Sequence, residues 1–334
     1  MRIGFNKGAA VFEPAILAEK PMTRFLALRV GRALLTLFLC VSGVFIALRA
    51  AGDPADIMLS MDTPPDVREY YRELWGLNQP LWEQYLRYLF SVVRGDFGLS
   101  FADERPAFTA VVEALPKTAL LGFSALFLAL VIGLPLGILA AIRHNSVIDR
   151  LAMASAVFGY AIPVFFLGIL LILLFALKLR VLPSAGSDSL VHLILPTVTL
   201  GLPLAGRLAR FARTATLEVL GKPFIRAARG RGVLPLAVIL RHALPNASVP
   251  LLMFLGIEIG NILAGAAVTE TIFAWPGLGR LVVDAVATRD LPVVQACIVT
   301  VTLIMVVSNL LVDVLHILID PRLGGFRGAQ GAHA

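Results

Sequence analysis

Six long apolar runs, separated by charged segments, constrain this chain more than any other feature. A helix needs about 20 mostly apolar residues to cross the hydrocarbon core of a bilayer. Reading between charges gives runs at 29–51, 118–142, 151–177, 190–206, 243–269 and 291–319. The fourth is the shortest and carries His192, Pro196 and Pro203; the fifth is interrupted only by Glu258. The chain is 58% hydrophobic and 15% charged, where a soluble domain has about 45–50% and about 25%. An all-α integral membrane protein with six transmembrane helices is therefore expected. Disordered, collagen-like and disulfide-stapled secreted chains are excluded. Cys40 and Cys297 both lie in apolar runs and read as inert packing residues.

The first run is expected to be a retained span, because it is longer than a signal-peptide core and five more runs follow. With the N-terminus inside, the inside segments hold 18 Lys and Arg residues and the outside segments 11, seven of these between Arg49 and Lys117. Long loops weigh little in the positive-inside rule, so both termini are expected in the cytoplasm. That topology accounts for the net charge of +7 without a nucleic-acid partner. The expected organisation is an N-terminal extension 1–24, a first span 25–51, an extracytoplasmic loop 52–117, a transmembrane core 118–324 and a tail 325–334.

In the outside loop, Pro65 and Asp66 open a short helix ending near Gly76. Pro80 opens another, on which Trp82, Leu86, Leu89 and Val93 recur at helical spacing beside Tyr85 and Phe90. Two readings stand: a helix on the bundle or in the membrane interface, and a docking surface for an external partner. Trp275, in the loop before the last span, suits the membrane interface.

The basic segment 207–241 is not a disordered tail. Pro223 can start a helix over 224–229, Gly230 and Gly232 allow a reversal, and Pro235 can start a second helix over 236–244, with Pro245 leading into the fifth run. This hairpin, within 217–245, could be held by anionic lipid headgroups or could dock in the groove of a partner. Glu258, flanked by Gly256 and Gly260, is costly in mid-span, roughly 2.5–3.5 kcal/mol on insertion scales for a central Asp. It is expected to face protein or water, either in an interhelix hydrogen bond or along a path, with Asn261 nearby. No phosphate loop, nucleophile elbow or zinc helix is present, and the five histidines are scattered. Nucleotide chemistry would have to come from another subunit. A secondary transporter is disfavoured by the lack of an inverted repeat, and an intramembrane enzyme by the lack of a nucleophile–base motif.

The hairpin carries a resemblance. Arg226-Ala227-Ala228, Gly232 and Leu244-Pro245 match the spacing of the E-A-A-x3-G-x9-I-x-L-P motif of permease subunits in ATP-binding-cassette importers. Arg226 stands for Glu and His242 for Ile, and an Arg there is common in the dipeptide, oligopeptide and nickel branch. The segments 78–98, 132–137, 182–186, Glu270-Thr271-Ile272-Phe273, Pro276-Gly277-Leu278-Gly279 and Asp320-Pro321-Arg322-Leu323 also resemble that branch. The resemblance covers about 22–324; Met22-Thr23-Arg24 is similar to the family's usual start, and residues 1–21 have no counterpart.

The resemblance implies the type I importer permease fold and a second, homologous permease subunit. It further implies two ABC ATPase subunits that hold the ATP and magnesium, an extracytoplasmic solute-binding protein, and no cofactor in this chain. Pro223, Phe224, Arg226, Ala227, Ala228, Arg229, Gly232, Leu244 and Pro245 would couple to the ATPase. The cargo implied is peptide, with nickel chelates and glutathione-like peptides as alternatives.

Overall fold

A computed structural model describes residues 20–50, 52, 55, 59 and 63–319. The tail 325–334 and most of the extension 1–24 lie outside these residues. Among the described residues the one extended pairing is an isolated bridge between Leu99 and Pro106; the rest is helices and turns.

The first span is α1 (Lys20–Ala50). Two short helices follow, α2 (Pro65–Leu74) and α3 (Leu81–Arg94), and then α4 (Ala107–Ile142), α5 (Val147–Ala161) and α6 (Val164–Leu171). A wider π-turn (Ile172–Lys178) continues α6, and α7 (Ile194–Leu220) leads to the short α8 (Pro223–Gly230). Helical residues Pro235–Ala237 and a π-turn (Val238–Ala243) run straight into α9 (Leu244–Ile272). The chain ends with α10 (Leu278–Ala287) and α11 (Leu291–Ile319). Among the described residues five helices are long and apolar enough to cross a membrane, and the bent pair, α5 with α6 and its π-turn, makes six when it is counted as one span.

Three expectations need correction. The third run is not one straight helix, because α5 and α6 meet at 95°. The residue before a proline is driven out of the α region; Ile162, before Pro163, is extended at φ −77, ψ 126. The fourth run does not stop at Gly206: α7 continues to Leu220, so Arg207, Arg210 and Arg213 lie on the helix and not in a loop. The second hairpin helix does not break at Pro245. The π-turn immediately before it accommodates a residue that has no N–H to give the helix.

The core is built on close backbone approach. α4 and α7 share the most extensive packing in the molecule. Gly201 of α7 packs tightly against Ala125, and Gly133 and Gly137 of α4 lie against the carbonyls of Ala205 and Ala209 with no space for a Cβ. Gly206 sits in the same way against Ala156 of α5. Small residues let helices pack by van der Waals contact where lipid offers no hydrophobic drive between them. Leu121, Leu204, Leu208, Ile262 and Trp275 fill the space around this seam.

α3 packs its tyrosine side on α1. The rings of Tyr85 and Tyr88 lie tilted against Phe45, centroids 5.3 and 5.5 Å away, and the Tyr85 hydroxyl shares a 2.6 Å hydrogen bond with Ser42. Burial, with Cys40 and Tyr85 nearby, pushes the Tyr88 phenol up to about 12. Trp82, Phe90 and Val93 are left exposed on the other side. Asp290 ties the outer loop to the start of α11, accepting from the Ser100 hydroxyl at 2.5 Å and from the Phe101 amide at 3.2 Å.

Candidate functional site

Three constellations stand out: the hairpin, a polar face at mid-helix, and a buried knot at the end of the bundle away from the hairpin.

The hairpin is rigid for local reasons. Pro223 occupies the first turn of α8, where its missing N–H costs nothing. At the other end Gly232 has φ +76, and its N–H donates to the Arg229 carbonyl at 3.0 Å while Val233 N–H donates to Ala228 at 3.3 Å. These bonds close the helix in a Schellman motif, which needs a left-handed residue at that position. Ile225 and Ala228 turn inward and form one cluster with Ala215 and Val219 of α7, Val238, Ala243 and Ala247.

The candidate coupling residues therefore divide. Pro223, Phe224, Arg226, Ala227 and Arg229 are exposed, as are Gly232 and Pro245; Leu244 is half-buried. Ala228 is 6% exposed and faces this chain's own core. Ala227 and Ala228 do not share one docking face, because residues one apart on a helix differ by about 100°. Pro223, Ala227 and Gly230 make the outward stripe, at helical spacing, with Phe224 and Arg226 beside it.

The mid-helix face centres on an ion pair. Glu258 lies at the middle of α9 and Arg207 at the middle of α7, each about 20 Å from either helix end. The Arg207 guanidinium donates from Nε to Oε1 at 3.1 Å and from Nη2 to Oε2 at 2.7 Å. The Glu258 side chain is 4% exposed and that of Arg207 35%. A cavity of about 380 Å³ opens beside them, lined by both residues, Asn261, Val164, Leu200 and Pro203 among others. Glu258 thus faces protein and a cavity, as its cost in lipid requires.

A second pair sits nearer the hairpin on α7. Arg213 meets Asp149 of α5 in the same two-pronged way, at 2.6 and 2.8 Å, and Asn145 N–H adds a bond to that carboxylate at 2.9 Å.

The buried knot gathers residues that the sequence reading left without a chemical role. Glu270 is wholly buried. It accepts from the Thr118 hydroxyl at 2.6 Å and from the amides of Gly279 and Arg280 at 2.7 and 3.1 Å. Thr118 in turn accepts from Leu278 N–H at 2.7 Å. The Trp275 indole donates to the Lys117 carbonyl at 3.0 Å. Trp275 is 2% exposed, so the interface role expected for it is wrong: its N–H has a partner inside. A Cβ on Gly277 would fall on the Glu270 carboxylate.

Comparison with known proteins agrees with this architecture. Residues 133–325 match the family described as the binding-protein-dependent transport system inner membrane component, and residues 22–122 match that system's N-terminal membrane component. The chain belongs to this family. It is a multi-pass permease subunit of an ABC importer, in the peptide and nickel branch, and it resides in the bacterial inner membrane.

The permease is 40% identical over 289 residues to the glutathione transport system permease protein GsiC of Escherichia coli strain K12, covering 86% of this chain and 94% of that protein. GsiC of Shigella dysenteriae serotype 1 matches to the same extent. Among solved structures, an inward-facing form of the MetNI methionine ABC transporter superposes with a TM-score of 0.55 at 21% identity, covering 63% of this chain and 96% of that one. That likeness concerns the fold.

Proposed function

We propose that this permease forms half of a path for short peptides, of the dipeptide, oligopeptide or glutathione type, and that the α8 hairpin seats in the cleft of a cytoplasmic ATPase. A second permease would complete the path, and a solute-binding protein outside would deliver cargo. ATP and magnesium would reside in the two ATPases. The peptide class is supported by the 40% identity to permeases named for glutathione transport.

The observation that carries the coupling role is the shape of the hairpin. A rigid short helix turns Pro223, Ala227 and Gly230 outward while its other side is fused to α7 and to the helical run entering α9. Small outward side chains let a helix sit deep in a groove. Displacement of α8 by a closing ATPase pair is delivered directly to α7 and α9, the two helices that carry Arg207 and Glu258. Both chain termini lie on the hairpin's cytoplasmic side in this reading.

The test is co-expression with candidate ATPases and binding protein, followed by co-purification and uptake into vesicles. Expected are ATPases retained by the permease and ATP-dependent uptake of labelled glutathione or alanyl-alanine. Uptake of a nickel chelate alone would overturn the peptide reading, and failure of any ATPase to bind would overturn the coupling role.

A further inference from the structure

Arg207 and Glu258 are held together at the middle of α7 and α9, yet they are not sealed into the core. The pair borders the 380 Å³ cavity, and its exposed member is the arginine. Asn261, three residues along α9, is exposed on the same face and lines the same cavity. An arginine and an asparagine open at mid-span do not face lipid, because polar groups there turn to protein or to a water-filled space. The rest of the lining is apolar: Val164, Leu200, Pro203, Leu204, Ile262 and Gly265. Cavities from about 300 Å³ upward, mostly apolar with a few convergent polar groups, are the usual form of a small-molecule site.

A buried ion pair is weak evidence for stability, since apolar replacements of similar volume often do as well. The fork of a guanidinium matches a carboxylate in two-pronged fashion, and a glutamate accepts from an ammonium as from a point charge. A molecule carrying both charges close together can therefore exchange with the pair. Its carboxylate takes Arg207, its ammonium takes Glu258, and no charge is left without a partner during the exchange. A molecule with one of the two charges blocked leaves one protein group unpaired.

We propose that Arg207, Glu258 and Asn261 form a subsite of the path for the zwitterionic α-amino-acid end of a γ-glutamyl peptide of the glutathione type, and that their ion pair closes the subsite until such an end displaces it. The proposal rests on the peptide-path reading above. It assigns to the permease a share of the selection otherwise left to the binding protein. Because α7 and α9 share the hairpin's cluster, movement of the hairpin shifts the two halves of the subsite relative to one another.

The experiment uses the complete importer, both permeases with their ATPases, in lipid nanodiscs without the binding protein. Binding of radiolabelled glutathione is measured by equilibrium dialysis, with unlabelled glutathione and N-acetylglutathione as competitors. Saturable binding is expected, with competition by glutathione and not by the acetylated form. Arg207→Gln and Glu258→Gln are each expected to weaken it about tenfold or more, in keeping with loss of a charge-assisted bond. Asn261→Ala, which removes no buried charge partner, is expected to weaken it less and covers the case in which a charge variant does not assemble. Equal competition by both compounds, or binding unchanged in the variants that assemble, overturns the subsite. So does absence of saturable binding in an importer that takes up glutathione once its binding protein is added. Absence of that uptake as well would instead remove the glutathione arm of the peptide-path reading, and the subsite with it.

Discussion

Thr118 and Glu270 are 152 residues apart and share a 2.6 Å hydrogen bond in a site closed to solvent. The hydroxyl of Thr118 both donates to the carboxylate and accepts from Leu278 N–H, so one oxygen joins α4, the end of α9 and the start of α10. Thr118→Val keeps the shape and removes both bonds. Leaving a buried donor and acceptor unsatisfied costs about 1–3 kcal/mol each. A lower melting temperature of the purified permease, by thermal scanning in detergent, is expected. Gly277→Ala is expected to be worse, because its methyl would occupy the place of the Glu270 carboxylate.

Ala227 and Ala228 give opposite predictions despite being neighbours. Ala227→Arg alters an exposed position and is expected to leave the permease folded while releasing its ATPase. Ala228→Arg puts a charge among Ile225, Val219 and Val238 and is expected to disrupt the hairpin itself. Protease sensitivity of the 217–245 segment, measured beside ATPase co-purification, separates the two. Release of the ATPase by Ala228→Arg with an intact hairpin would refute this assignment of faces.

Gly232 has open space where a Cβ would stand, so a substitution there is opposed by backbone alone. Gly232→Ala is expected to cost about 1 kcal/mol through the left-handed conformation. The effect is read as faster hydrogen exchange at the amides of Gly232 and Val233. Exchange unchanged at both would show that the Schellman closure is not what holds the turn.

Asp149 and Arg213 form a pair whose removal from one side is asymmetric. Arg213→Ala leaves a buried carboxylate without its main partner, a change that costs about 3–5 kcal/mol in buried pairs. Asp149→Ala frees an arginine that is 23% exposed and can reach water. Arg213→Ala is therefore expected to lower the yield of folded permease more than Asp149→Ala, measured by fluorescence-detected size exclusion.

The spans, the hairpin and the Pro–Gly punctuation were legible in the sequence because each depends on residues close together in the chain. Pro223 and Gly232 needed no tertiary information. The bend at Ile162–Pro163 was missed: the proline stands in the sequence, but the length of the apolar run read as one span. Arg207 was not legible. It follows Gly206 at the edge of an apolar run and reads as a border, and only its partner 51 residues away makes a charge at that depth tenable. Glu270 and Trp275 were invisible as a site for the same reason. Their partners Thr118 and Lys117 lie about 150 residues earlier, and periodicity does not report such pairings.

Gly133, Gly137 and Gly206 bring the backbones of α4, α5 and α7 into direct contact. A sliding motion between these helices would drive carbonyls into main chain, with no side chain between them to yield. The three helices are thus confined to travelling as a single stave. Any change of the path's opening has to be taken up at its margins: at the elbow of Ile162 and Pro163, and along the seam with α9 where Arg207 reaches Glu258.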